Sequence, residues 1–260
     1  MKDILKELTD ARRADAAARE AAVPFAEMMR RAEAAPAPLD FAAAFRRGGA
    51  NVIAELKRAS PSEGMIREDF RPAALARELA DAGAAALSVL CEPHRFLGDE
   101  RYLAEARCEA RGIPILYKDF LSTRYQIAAA RAAGADSALL IAAVLGDVEL
   151  ADMLGFARSL GMEPLVETHD AGEIARAVAC GAKVVGVNCR DLRSFATDVT
   201  LLERLVGEIP PRCARIAESG MHTAESIRRA KSAGADGFLV GTALMRAPSP
   251  GEKLKELSGI

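Results

Sequence analysis

From Asn51 onward the chain repeats one pattern eight times: a short apolar run, a polar loop, and a helix-like run closed by a turn. The apolar runs are NVIAELK, AALSVL, IPILYK, SALLIA, EPLVE, KVVGVN, ARIAES and GFLVG. Gly83, Gly112, Gly134, Gly161, Gly181 and Gly234 mark six of the returns and Pro210-Pro211 a seventh. The spacing of about 20 to 30 residues is close to what one βα unit needs. Four returns share the spelling Gly-Ala (Gly83-Ala84, Gly134-Ala135, Gly181-Ala182 and Gly234-Ala235), as a glycine ending a helix before a strand would give. Eight alternations favour a closed (β/α)8 barrel over an open doubly wound sheet, because no dinucleotide fingerprint follows the first run.

Before about residue 50 the sequence is rich in Ala, Arg and Glu and reads as helical, broken by Pro24 and by the APAP stretch ending at Pro38. The expected organisation is a helical extension over residues 1–50 that covers the barrel, followed by a single catalytic barrel domain over 51–260. Half the residues are apolar, enough for a substantial core. The 35 basic and 37 acidic side chains nearly cancel, and no basic stretch suggests a nucleic-acid partner, so a small molecule is expected. The five cysteines are scattered, odd in number and form no C-x-x-C, which points away from a disulfide frame or a zinc site and towards reduced thiols in the cytoplasm. The N-terminus lacks the apolar core of a signal peptide, and no stretch approaches the roughly 18 apolar residues of a membrane span.

Five of the strands end in charged or amide side chains: Glu55 and Lys57, Lys118, Glu167, Asn188, and Glu218. Side chains alternate faces along a strand, so Ile53, Glu55 and Lys57 share one face, as do Leu116 with Lys118, Leu165 with Glu167, Gly186 with Asn188, and Ile216 with Glu218. In a closed parallel barrel these faces converge on one mouth. A self-neutralising charge network would explain any one pair, and a strand-end lysine can simply snorkel to solvent. Repetition at the same end of buried strands instead favours a site with acid and base partners. Lys118, in a confined pocket near other cations, is expected to deprotonate more easily than a free lysine and to serve as a proton donor near neutral pH. Asn188 and Arg190 add a neutral donor and acceptor and a fixed cation.

The turn Glu218-Ser219-Gly220 and the turn Gly241-Thr242 before a short helical run resemble the phosphate cradle found after the last two strands of such barrels, with the Ser60 hydroxyl beside them. His94, His169 and His222 each fall just after a strand. His169, two residues past Glu167, is a rival acid–base group, but a loop histidine near a helix start is the expected reading.

The strings IAELKRASPSEGMIREDF, PILYKDF, GADSALLI, GMEPLVE, GVNCRDL, IAESG and LVGTALMR together resemble indole-3-glycerol-phosphate synthase, in family order from about Asn51 to Arg246. That family closes and decarboxylates 1-(2-carboxyphenylamino)-1-deoxyribulose 5-phosphate in tryptophan biosynthesis. The resemblance implies that Lys118 is the general acid, that Glu167 is an acid–base group in the later dehydration, and that Lys57 lies near the substrate carboxylate with Glu55 supporting it. It assigns Asn188, Arg190 and Glu218 to the surrounding polar shell. It sets Ser60, Gly220, Gly241 and Thr242 near the phosphate, with Ser219 in the same turn, and Phe120, Leu139 and Leu192 around the anthranilate ring. Proton donors and acceptors suffice for such chemistry, so no metal or organic cofactor is expected.

Tyr117, Glu63 and Arg95 depart from the residues common in that family, which bears on substrate affinity and loop closure. Two rival readings are a phosphate-binding isomerase on the same fold, which would need a different acid–base pair, and a non-catalytic barrel, in which Lys118 or Glu167 would be lost. A monomer, with possible association with other enzymes of the pathway, is the expected state.

Overall fold

The computed structural model describes residues 4–190 and 199–259. Among these, eight parallel strands close into a barrel: β1 (Asn51–Leu56), β2 (Ala86–Leu90), β3 (Ile115–Lys118), β4 (Ser137–Ile141), β5 (Leu165–Thr168), β6 (Val184–Asn188), β7 (Ala214–Glu218) and β8 (Gly237–Val240). Each strand pairs with its sequence neighbours, and β1 closes the ring on β8, with Asn51 opposite Gly237 and Ala54 opposite Val240. The alternation read from the sequence holds. Ile53, Leu116, Leu165 and Ile216 belong to the inner core with Leu139, Val184 and Leu239. Val52, Ala54, Leu56, Leu87 and Val89 face outwards and pack with the surrounding helices.

Those helices are α3 (Pro72–Asp81), α4 (Glu100–Glu109), α5 (Arg124–Ala132), α6 (Asp147–Ser159), α7 (Ala171–Ala179), α8 (Val199–Glu208), α9 (Ala224–Ser232), and a final pair, α10 (Thr242–Arg246) and α11 (Pro250–Ser258). Side chains of Asp99, Thr123, Asp170, Thr223 and Ser249 cap helix N-termini. The four Gly-Ala returns share one geometry. At Gly83 the backbone turns left-handed (φ 89°), its N–H reaches the carbonyl of Ala80, and the Ala84 N–H reaches that of Leu79. Gly134, Gly181 and Gly234 repeat both bonds, so each pair is a helix stop that points the chain into the next strand.

Residues ahead of the barrel form α1 (Ile4–Ala22), α2 (Phe25–Ala34) and a 3₁₀ turn at Ala42–Phe45. They run from one end of the barrel to the other. Ile4, Leu5 and Leu8 of α1 line the cavity at the C-terminal strand ends. Met28 and Ala32 of α2 pack against Tyr125, Ala128 and Ala129 of α5 on the flank. Phe41 and Phe45, edge-to-face at 5.0 Å, then enter the inner core at the opposite end. A Cβ on Gly237, the first residue of β8, would lie 2.7 Å from the Phe45 ring. The Asn51 amide fastens this floor by donating to the carbonyls of Phe45, Arg47 and Asp236. A small hairpin, Ala59–Ser60 against Gly64–Met65, follows β1, where the sequence suggests loop alone. No helix among the described residues is long and apolar enough to cross a membrane.

Candidate active site

At the C-terminal ends of the strands the inward side chains meet in one cavity lined by Glu55, Lys57, Lys118, Glu167, Asn188, Arg190 and Glu218. Strand register explains the meeting. Glu167 lies opposite Gly186, and Asn188 opposite Glu218, so glycine on β6 leaves a gap at the level of the carboxylates. A Cβ on Gly186 would overlap Glu218 Oε1. Gly241 plays the same part beyond β8, where a Cβ would overlap Glu55 Oε2 and approach Lys57 Nζ to 3.0 Å.

Two charge clusters result. Lys57 Nζ lies 2.8 Å from Glu55 Oε2. Lys118 Nζ stands between two buried carboxylates, 2.7 Å from Glu167 Oε2 and 3.2 Å from Glu218 Oε2. This corrects the expectation that Lys118 sits near other cations and loses its proton easily. Burial pulls its pKa down, but Glu167 and Glu218 outweigh burial and raise it above the usual lysine range, so the ammonium persists at neutral pH.

One ammonium does not suit two carboxylates equally. Burial opposes charge on both; Lys118 and His169 together hold the Glu167 carboxyl well below its ordinary range. Burial and the neighbouring Glu167 charge push Glu218 up to about 8, although Lys118 opposes them. The surroundings therefore push the two carboxyls apart, Glu167 towards the ionised form and Glu218 towards the protonated one. His169 lies in the loop just before α7, as the sequence suggests, and also meets Glu167. Its Nε2 is 3.4 Å from Glu167 Oε1 and its Nδ1 is 3.1 Å from Glu173 Oε2 on α7. The signal available was its position, two residues after Glu167 and four before Glu173.

Asn188 and Arg190 organise the other side. The Asn188 carboxamide oxygen accepts from the Ser219 hydroxyl at 2.8 Å and from the Arg190 N–H at 3.2 Å. The Arg190 guanidinium donates to Ser62 Oγ at 2.9 Å and so ties the loop after β6 to the loop after β1. Ser60, Ser219, Gly220, Gly241 and Thr242 line the end of the cavity beside Lys57. Ser219 and Gly220 are both left-handed, at φ 66° and 73°; for serine this conformation is uncommon and strained. Phe120 and Leu139 form an apolar wall, Phe120 being tilted on Phe96 at 6.1 Å. His222, noted after its strand, also lines the cavity, as do Phe96, Met221 and the α1 residues, which the sequence did not single out. Leu192 lies outside the described residues.

The three departures each have a partner. Tyr117 points into the outer core and its hydroxyl donates to Glu100. Arg95 pairs with Glu7 of α1 at 2.8 Å, and Glu63 pairs with Arg246 of α10.

The family model for indole-3-glycerol phosphate synthase matches residues 5–257. The chain belongs to that family. Its relatives include the indole-3-glycerol phosphate synthase of Albidiferax ferrireducens, 44% identical over 99% of this chain and 98% of the relative. That of Laribacter hongkongensis is 46% identical over 99% of each. Solved structures resemble the fold alone. The 3-hexulose-6-phosphate synthase of Salmonella typhimurium has TM-score 0.65 at 12% identity, covering 80% of this chain and 97% of that one. The thiamine phosphate pyrophosphorylase of Pyrococcus furiosus has TM-score 0.60 at 16% identity, covering 79% and 92%. The synthase family thus spans the extension as well as the barrel, and the cavity built from Lys57, Lys118 and Glu167 lies within the matched residues.

Proposed function

We propose that this chain is an indole-3-glycerol phosphate synthase, converting 1-(2-carboxyphenylamino)-1-deoxyribulose 5-phosphate to indole-3-glycerol phosphate with loss of carbon dioxide and water. The observation that carries the reading is Lys118, a buried ammonium held between the carboxyl groups of Glu167 and Glu218. The substrate phosphate fits the end formed by Ser60, Ser219, Gly220, Gly241 and Thr242. The anthranilate ring fits the wall of Phe120 and Leu139, with its carboxylate near Lys57. Clamping both ends folds the substrate so that its reacting carbons meet.

Lys118 protonates the carbonyl oxygen as the aromatic ring attacks C2 of the sugar. Glu218, at 3.2 Å, can then return a proton to the neutral amine. Decarboxylation restores the ring. Glu167 takes a proton as water leaves in the last step, with Lys118 donating to the departing hydroxyl. Arg190 and Asn188 tie the loops after β1 and β7 to the end of β6 beside these groups. A phosphorylated pathway intermediate as substrate accords with a cytoplasmic enzyme.

Product formation is read directly as indole fluorescence, because the chain contains no tryptophan. Lys118→Ala should lower turnover by roughly 10²–10⁴-fold, the usual worth of a general acid, while leaving binding of the phosphate end largely intact. Near-normal turnover in that variant would remove the assigned role. A folded protein giving no product would favour the isomerase or non-catalytic reading.

A further inference from the structure

His169 stands at the end of a buried row of charges. Glu173 on the first turn of α7 takes the His169 backbone N–H at 2.8 Å and faces Nδ1 at 3.1 Å. The ring crosses from there to Glu167, with Nε2 3.4 Å from Oε1. The other oxygen of Glu167 is held at 2.7 Å by Lys118, which in turn reaches Glu218 at 3.2 Å. Glu167 therefore has a cation on each oxygen, whereas Lys118 is the cation paired with Glu218 among the described residues.

We propose that His169 is a positioning residue for the reaction assigned above: as an imidazolium braced by Glu173, it orients Glu167 and selects it, rather than Glu218, as the ionised base beside Lys118. The inference rests on that functional reading for its catalytic consequence, and for the ion pair on the ring's place between two carboxylates. Two carboxylates sharing one lysine would otherwise be close to equivalent, and a site that needs one acid and one base must make them differ. The second cation makes the difference.

Charged groups facing the ring come from two elements. Glu167 projects from β5 and Glu173 from α7, while Lys118 acts through Glu167. Asp170 is turned to the Glu173 N–H, and Arg176, the next charged side chain of α7, turns to Asp147 and the carbonyls of Ala142 and Leu145. The carboxylates outweigh burial and carry the imidazole up to about 10. The ring is thus charged throughout the neutral range.

The test compares wild type with His169→Asn, which removes the charge, and His169→Lys, which restores a cation. In His169→Asn, Glu167 holds its proton more tightly, so the acid limb of kcat/KM moves up by about one pH unit. On that limb activity falls by about tenfold, with less loss above neutrality and with KM within about twofold. His169→Lys should return the limb towards its wild-type position. A normally melting His169→Asn with an unmoved limb overturns the proposal. So does a uniform loss at every pH that lysine does not relieve, because that is the mark of packing.

A second readout needs no substrate. The chain has three histidines, so the His169 ring proton can be assigned in a nuclear magnetic resonance titration by its disappearance in His169→Asn. It should remain imidazolium through pH 8. Titration near the ordinary histidine value overturns the ion pair whether or not the protein forms indole. Absence of product from wild type, with His169 still charged at pH 8, would overturn the functional reading and leave the ion pair standing.

Discussion

Gly186 and Gly241 contribute by what they leave out, since each leaves space that a carboxylate of the cavity fills. Gly186→Ala should displace Glu218 and lower kcat by about tenfold or more while the protein stays folded, a result that steady-state kinetics beside circular dichroism would establish. The proton on Glu218 gives a second expectation. Burial and the Glu167 charge raise its pKa above the usual carboxylate range, so the acid form is lost as pH rises and kcat/KM should decline on the alkaline side. Glu218→Gln should cut kcat by roughly 10²-fold or more and abolish that alkaline decline, because the amide has no proton to lose. Strand parity made the inward direction of Lys118, Glu167 and Glu218 legible in the sequence. It does not tell which inward groups touch across the barrel. Lys118 was therefore read as a neighbour of cations, when β5 and β7 bring carboxylates to it.

The eight strands and the Gly-Ala stops were legible because each depends on local patterns, period-two alternation and a glycine that ends a helix. α1 is different. Its helical composition was plain, but its place on the barrel depends on pairings distant in sequence. Arg12 grips the buried Asp119 with Nε and Nη2, at 2.7 to 3.1 Å, and also reaches Asp15, which meets His94. Asp119 directly follows Lys118, so the clamp joins the roof of the cavity to the strand that carries Lys118. Arg12→Ala leaves a buried carboxylate without its cation and should cost roughly 3–5 kcal/mol, measured by denaturant unfolding. With Ile4, Leu5 and Leu8 loosened from the mouth, KM should rise as well.

Across the whole molecule, the proposed function puts the chemistry at the mouth and leaves stability to the floor. Phe41 is fully buried at the end of the barrel away from Lys118. Phe41→Ala should therefore cost roughly 3–5 kcal/mol in denaturant unfolding yet leave kcat and KM within about twofold at temperatures where the variant is folded. That separation is the expected signature of a barrel whose two ends have different duties.

The ring closes between its first and last strands, and the Asn51 amide reaches the carbonyl of Asp236 across a sequence separation of 185 residues. A ribosome delivers these partners far apart in time. While the intervening units emerge, β1 exposes one unpaired edge, and Phe45 has no Gly237 to rest against. The nascent chain can stack its units in order but gains its floor and its sealed sheet together, when the eighth strand arrives. Vectorial synthesis therefore ends in a single locking event, and a chain interrupted before Gly237 would carry an open strand edge prone to pairing with other chains.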